Sequence, residues 1–184
     1  MDESTNLTEA RMRELAREYL DTWNRHDIDG ALEMATDDVV FEWMAGLPGR
    51  GKEELRRQLE ANFTAFPDMS FQEDAVRVAT DVAHQEAMLT WRFTATMTGL
   101  LEGPGGRLPP TGNSIEIHGV TVERFRGERI CEFRIYYDTL GMFQQLGVLP
   151  ETSKLGFKAV VVAEVVADKA KGVADKAKKA LHRS

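Results

Sequence analysis

The order of hydrophobic periodicities along the chain predicts an α+β domain, in which one curved antiparallel sheet wraps N-terminal helices and an amphipathic helix follows at the C-terminus. Three observations carry this prediction. Apolar residues recur at helical spacing up to Phe66, whereas from Met69 to Asp138 they fall in long strand-like runs. The 184 residues suit one domain of ordinary size with an added element, but not a second full domain. Charge divides near residue 150: residues 1–150 carry a net −11 and residues 151–184 a net +4.

Asn6 or Thr8 is placed to cap a first helix running to about Asn24, with Leu7, Met12, Leu15, Tyr19, Leu20 and Trp23 close to one face. The stretch HDIDGALEMATDD then reads as a short second helix broken by Gly30, and residues 39–43 as a strand. Gly46, Pro48, Gly49 and Gly51 predict a loop. A third helix is expected over 52–66, with Leu55, Leu59, Phe63 and Phe66 inward and Pro67 ending it. Strands follow over 69–79, 82–98, 114–126 and 129–138, with tight turns expected at Thr80-Asp81 and Gly127-Glu128. Residues 99–112, rich in Gly and Pro, predict a long connecting loop able to rim a pocket. A short helix over 139–146 completes the body, with Leu140, Phe143 and Leu146 inward and Gly147 and Pro150 stopping it.

Beyond the body a heptad is repeated almost unchanged, VADKAKG at 166–172 and VADKAKK at 173–179. Val162, Val166, Ala170, Val173, Ala177 and Leu181 form one helical stripe. Gly172 costs about 1 kcal/mol inside a helix, so this tail is expected to be helical only against a partner. Its polar face mixes Asp168 and Asp175 with lysines, and Val and Ala insert weakly into lipid. Packing on a partner protomer or on the same domain, or a tether to another protein, is therefore expected ahead of a membrane surface.

Apolar residues at 42% and charged residues at 29% describe a folded soluble chain. The acidic body excludes nucleic acid as its partner, because phosphate binding needs clustered Lys and Arg. Cys131 is the only cysteine, so no intramolecular disulfide forms and no metal site rests on thiolates alone. The opening residues lack the basic-then-apolar run of a signal peptide and no stretch reaches about 18 apolar residues, so a cytoplasmic protein is expected. Neither metal-ligand spacings nor Walker, Gly-x-Ser-x-Gly or dinucleotide motifs occur, so no metal and no cofactor is expected.

Two stretches resemble a known superfamily. YLDTWNRHDIDGALEMATDDVVFEW, from Tyr19, resembles the first segment of nuclear transport factor 2-like proteins, with its helix, Asp-x-Asp-Gly turn, short helix and Asp-Asp-Val. PPTGNSIEIHGVTVERFRGERICEFRIYYDTLGMFQQLG, from Pro109, resembles SnoaL-like proteins in its Pro-x-Thr-Gly loop, hairpin, strand-end Asp and Gln-Leu-Gly helix. Together they span about residues 7–150. The resemblance implies a cone-shaped barrel around a small-molecule pocket, commonly paired as a homodimer through the outer sheet face. It also implies a choice among polyketide cyclases, epoxide hydrolases, ketosteroid isomerases, dehydratases and ligand binders, since one fold hosts many chemistries.

By the same resemblance, Asp138 matches the general acid/base of SnoaL-like cyclases. Arg92 matches the Arg of an Arg-x-Asp found in epoxide-hydrolase-like proteins, with Thr94 where the Asp would stand. Tyr19 matches the tyrosine of ketosteroid isomerases and Glu123 their oxyanion-side aspartate, while Trp43 occupies the place of their base.

Strand alternation puts Asp138 on one face with Glu132, Arg134 and Tyr136. If that face is concave, Asp138 is an acid/base beside an Arg and a phenol; otherwise it caps the next helix or pairs with Arg134. His118, on a face with Glu116, Val120 and Val122, is either a proton shuttle or a hydrogen-bonded filler. Arg92 is either an exposed sheet charge or an inward partner for Asp138. Trp23, Trp43 and Phe63 are expected to contact substrate, with Tyr19, Arg134 and Tyr136. Two functions follow. One is a cofactor-free cyclase, isomerase or hydrolase acting on a small hydrophobic carbonyl or epoxide compound. The other is a binding or assembly module whose tail docks on a partner.

Overall fold

The computed structural model describes residues 6–43, 47–72, 75–103 and 106–150. The expected tail helix lies outside the described residues.

The first helix, α1 (Glu9–Asn24), starts where Thr8 accepts the Arg11 N–H, and it buries Met12, Leu15, Ala16, Tyr19 and Trp23 along one stripe. Asp27 caps the short α2 (Ile28–Glu33) by accepting from the Gly30 N–H. The strand β1 (Ala35–Trp43) begins four residues earlier than expected. The glycine-rich stretch after it is not only a loop, because β2 (Leu47–Arg50) folds back onto β1. Gly49 makes that pairing possible: a Cβ there would meet the Phe41 ring at 2.2 Å. Next comes α3 (Gly51–Ala65), burying Leu55, Leu59 and Ala65.

The expected strand over 69–79 is interrupted, giving β3 (Ser70–Phe71) and β4 (Arg77–Asp81). The following turn falls later than Thr80-Asp81, because Asp81 Oδ1 accepts the N–H groups of both Ala83 and His84 and holds them in the turn. Three more strands follow the turn: β5 (Glu86–Thr96), then β8 (Ser114–Arg126) and β9 (Arg129–Tyr137). Gly127, at φ +59, turns β8 into β9 as the sequence predicts. Within the expected loop over 99–112 sits a small hairpin, β6 (Leu101–Gly103) and β7 (Gly106–Leu108). The last helix is α4 (Thr139–Gln145). It buries Met142 and is followed by buried Leu146, whereas Leu140, expected inward, is 40% exposed.

The main sheet runs β2-β1-β9-β8-β5-β3, with β4 also on β5. It is mixed, not wholly antiparallel as expected, because β1 and β9 run parallel. It also stays open between its β2 and β3 edges, so the cone is a curved sheet and not a closed barrel. Its concave face packs on the helices, α1 against β3, β4 and β5, α3 against β1, and α4 against β8. Phe41 and Phe133 stack at 5.3 Å in the centre of this layer and are almost fully buried. Each such ring contributes roughly 1.5–3 kcal/mol by leaving water.

Candidate functional site

Alternation along the three long strands decides what faces the cup. On β5 the inward set is Ala87, Leu89, Trp91, Phe93 and Ala95; on β8 it is Ile115, Ile117, Gly119, Thr121, Glu123 and Phe125. On β9 it is Phe133, Ile135 and Tyr137. Near the start of β8 these strands enclose a cavity of about 70 Å³ with Trp23 of α1, Trp43 of β1 and Phe71 of β3. The α3 side contributes Asn62 and Phe66, and α4 contributes Met142. Among the described residues, Asn62 and Tyr137 bring the only polar side-chain groups of the wall besides the tryptophan N–H groups. Burial pushes the Tyr137 hydroxyl up to about 12, so it is a neutral donor at physiological pH.

The ring packing of the wall is dense. Trp23 meets Trp43 edge-on at 4.9 Å, and Phe71 meets Trp91 edge-on at 5.2 Å. The Trp91 indole lies over Gly119, where any Cβ would come within 2.2 Å of the ring. Its Nε1–H donates to Thr121 Oγ1 at 2.9 Å. At 70 Å³ the cavity is well below the roughly 300–1,000 Å³ of sites for drug-sized ligands. It accepts a compact group unless the wall yields.

Deeper on the concave face stands a polar pair that does not line the cavity. Glu123, 2% exposed, has its Oε2 without a hydrogen-bond partner among the described residues, and so does the hydroxyl of Tyr19. Burial raises the Glu123 carboxyl well above the ordinary carboxylate range and so favours its protonated form. Burial, and then the nearby Glu123, raise the Tyr19 phenol, with the Trp23 indole opposing. Leaving a buried polar group unpaired costs about 1–3 kcal/mol.

The sequence-predicted site residues divide sharply. Trp23 and Trp43 line the cavity as expected. Phe63 does not; it is half-buried, stacked on His26 at 4.5 Å and edge-on to Trp23 at 6.1 Å. Tyr19 lies inward but below the cavity, against Phe133 at 5.9 Å. The face of β9 that carries Arg134, Tyr136 and Asp138 is convex, not concave: Tyr136 is 55% exposed, and Arg134 pairs with Glu132 on the outside. Asp138 is exposed, and its Oδ1 accepts the Gly141 N–H at 2.8 Å as the cap of α4, the structural alternative weighed for it. His118 is also outward, its side chain 72% exposed, and Arg92 sits across the ladder from it, 3.9 Å from Glu116. Asp138, His118 and Arg92 therefore converge on no common point in the cup.

What sequence reading missed is the wall contributed by Met69, Phe71, Ile115, Ile117, Ile135 and Met142. The signal was present in the strict alternation of β8 and β9, where the apolar residues mark the concave side. Among the described residues no group of three or more His, Cys, Asp or Glu is placed to hold a metal ion. No described helix is long and apolar enough to cross a membrane.

A curved sheet cupping an aromatic cavity beneath three helices and closed by a short C-terminal one defines the nuclear transport factor 2-like class of fold. Within it, the chain belongs to the SnoaL-like polyketide cyclase family, whose model matches residues 13–146. Solved structures agree on the fold. AclR of Streptomyces galilaeus, described as a candidate hydroxylase, superposes with a TM-score of 0.64 at 24% identity, covering 92% of this chain and 98% of its own. A candidate SnoaL-like polyketide cyclase from Jannaschia gives 0.66 at 19% identity over 77% of this chain and 95% of its own. SalBIII, described as an epoxide hydrolase/cyclase-like enzyme in pyran ring formation of salinomycin, gives 0.59 at 18% over 72% and 94%. A search of the curated proteins found no match.

Proposed function

We propose that the protein binds a compact, largely apolar molecule in the cup and acts on it without a cofactor, as a member of the cyclase family would act on a polyketide-type carbonyl compound. The wall of the cavity carries this reading. Tryptophan, phenylalanine and isoleucine side chains supply nearly all of it, and hydrogen-bonding groups are few, the usual make-up of a site for an apolar ligand. Nitrobenzene, a compact aromatic quencher of indole fluorescence, is a suitable probe, because Trp23, Trp43 and Trp91 all line the cavity and report its arrival by quenching. Saturable quenching that weakens about tenfold or more in Trp43→Ala is expected. Quenching that never saturates, or that ignores Trp43→Ala, removes the reading.

A second feature bears on acid/base chemistry by Asp138. Asp138 follows wall residue Tyr137 in sequence and caps the helix that carries wall residue Met142, with its carboxylate exposed on the outer side. Asp138→Asn retains a good helix cap while removing the acid. Loss of turnover on any substrate found by screening, with an unchanged thermal midpoint, supports Asp138 as acid/base; wild-type turnover in that variant sinks it.

A further inference from the structure

We propose that Asn62 is the specificity-determining residue of the cup and that its side-chain amide receives the hydroxyl of a compact phenol or enol. The proposal rests on the reading that the cup binds compact apolar molecules, and it adds which single polar group such a molecule carries.

The placement of Asn62 carries the argument. On α3 it stands three residues after Leu59, which is fully buried, and four before Phe66, which lines the cavity, so helical spacing turns it to the same side. A leucine or methionine there would favour the helix more and would close the apolar wall without a polar atom. Asn62 instead brings the one side-chain carbonyl among the described residues of the wall.

The other polar groups of the wall are engaged or can only donate. The Tyr137 hydroxyl has Thr139 as a hydrogen-bond partner, and the Trp91 N–H donates to Thr121 Oγ1. An indole N–H accepts nothing. Asn62 differs: its one side-chain hydrogen bond among the described residues runs from Nδ2 to Met69 Sδ at 3.3 Å, and a thioether is a weak acceptor. Met69 is itself a wall residue, and its unbranched, rotatable side chain can turn aside when a better acceptor arrives.

The chemistry of the amide selects its guest. Nδ2 donates and Oδ1 accepts, side by side, so a hydroxyl, which accepts and donates through one oxygen, satisfies both. A carbonyl oxygen engages only the donor and leaves Oδ1 without a partner. A carboxylate would enter a wall that holds no Lys, Arg or His among the described residues, and would lose its hydration without gaining a counter-charge. At about 70 Å³ the cavity suits a compact ring rather than a fused polycycle.

Phenol and toluene, equal in shape but for one hydroxyl, test this by calorimetry on the full chain. Asn62→Leu, close in volume but apolar, is expected to weaken phenol about tenfold or more relative to toluene, the value of one buried hydrogen bond. Met69→Leu, which removes the thioether and keeps the amide, should retain the wild-type preference. In wild type the side-chain N–H resonances of Asn62 should shift on adding phenol and stay in place with toluene, a signature that packing alone does not produce and that needs no variant to fold. A phenol-to-toluene ratio unmoved in Asn62→Leu, or Asn62 resonances that ignore phenol, overturns the proposal. Equal weakening of both ligands in Asn62→Leu means that Asn62 only supports Met69, and overturns it as well. Cyclohexanone weakened by Asn62→Leu more than cyclohexanol would assign a carbonyl and overturn the hydroxyl. In each of these cases toluene binding leaves the apolar cup standing. If neither phenol nor toluene binds wild type, the apolar cup itself fails and the selector with it.

Discussion

The two faces of β8 and β9 carry carboxylates of opposite fate. On the convex side, Glu132 takes two guanidinium partners, Arg124 and Arg134, and Glu116 lies near Arg92 and His118, all in contact with water. On the concave side one carboxyl, Glu123, is buried with an unpaired oxygen. The difference teaches that charge pairing in this sheet marks the solvent side, whereas the lone inward acid is an exception that stability does not explain. An apolar residue would fill that place at lower cost.

The largest effect should come from the packed layer common to both regions. Phe133→Ala removes a ring with no exposure that contacts Phe41, Tyr19 and Trp43, and is expected to destabilise by about 3–5 kcal/mol in urea unfolding. A loss below about 1 kcal/mol would mean that the concave layer is loosely packed.

Glu123 gives the next test, with its sign fixed by linkage. Its carboxyl titrates higher in the folded chain than in the unfolded one, so between the two values the folded state holds the extra proton. Stability should therefore be greatest below about pH 4.5, the unfolded value, as far as this group decides it, and fall as pH rises toward the folded value. Glu123→Gln should flatten that slope at pH values where wild type is losing stability. Equal slopes in both proteins, measured by chemical unfolding from pH 5 to 9, would mean that the carboxyl is hydrated or paired in solution.

Both faces were written in the sequence, though not equally read. On β9 Phe133, Ile135 and Tyr137 alternate with Arg134, Tyr136 and Asp138, and the binary pattern alone sends the second set to solvent. Alternation grouped Asp138 with Glu132, Arg134 and Tyr136 but left open which face is concave, and the apolar set Phe133, Ile135 and Tyr137 is what decides it. The α1 stripe, the full extent of β8 and the Gly127 turn were legible because each rests on local periodicity or a single backbone requirement. The β2 strand, the β6–β7 hairpin and the parallel β1–β9 pair were not, since they depend on which distant segment lies alongside. For the site, the tryptophans at 23 and 43 could be named from residue type, but the aliphatic wall and the small cavity depend on how far rings from five elements interpenetrate.

Asp138 sharpens the comparison from the other side, as an acid whose structural task is visible. Asp138→Ala should uncap α4 and cost about 1 kcal/mol, while Asp138→Asn should cost close to nothing. Equal losses in the two variants would show that the negative charge, and not the Gly141 hydrogen bond, is what the helix start requires.

The smallest effect belongs to the convex ion pairs. Arg124 bonds Glu86 at 3.1 Å and Glu132 at 3.0 Å across neighbouring strands, while Glu132 keeps Arg134 as a second partner. Yet the Arg124 side chain is 47% exposed, so each pair exchanges good hydration for a screened attraction. Arg124→Met is expected to cost less than about 1 kcal/mol at low salt, and less still in 1 M salt. A loss larger than that of Asp138→Ala, persisting in salt, would indicate that the convex face is shielded from water in solution, as it would be if a second copy covered it. The same measurement therefore separates an ordinary solvated sheet face from a dimer surface, because only burial makes such pairs insensitive to ionic strength.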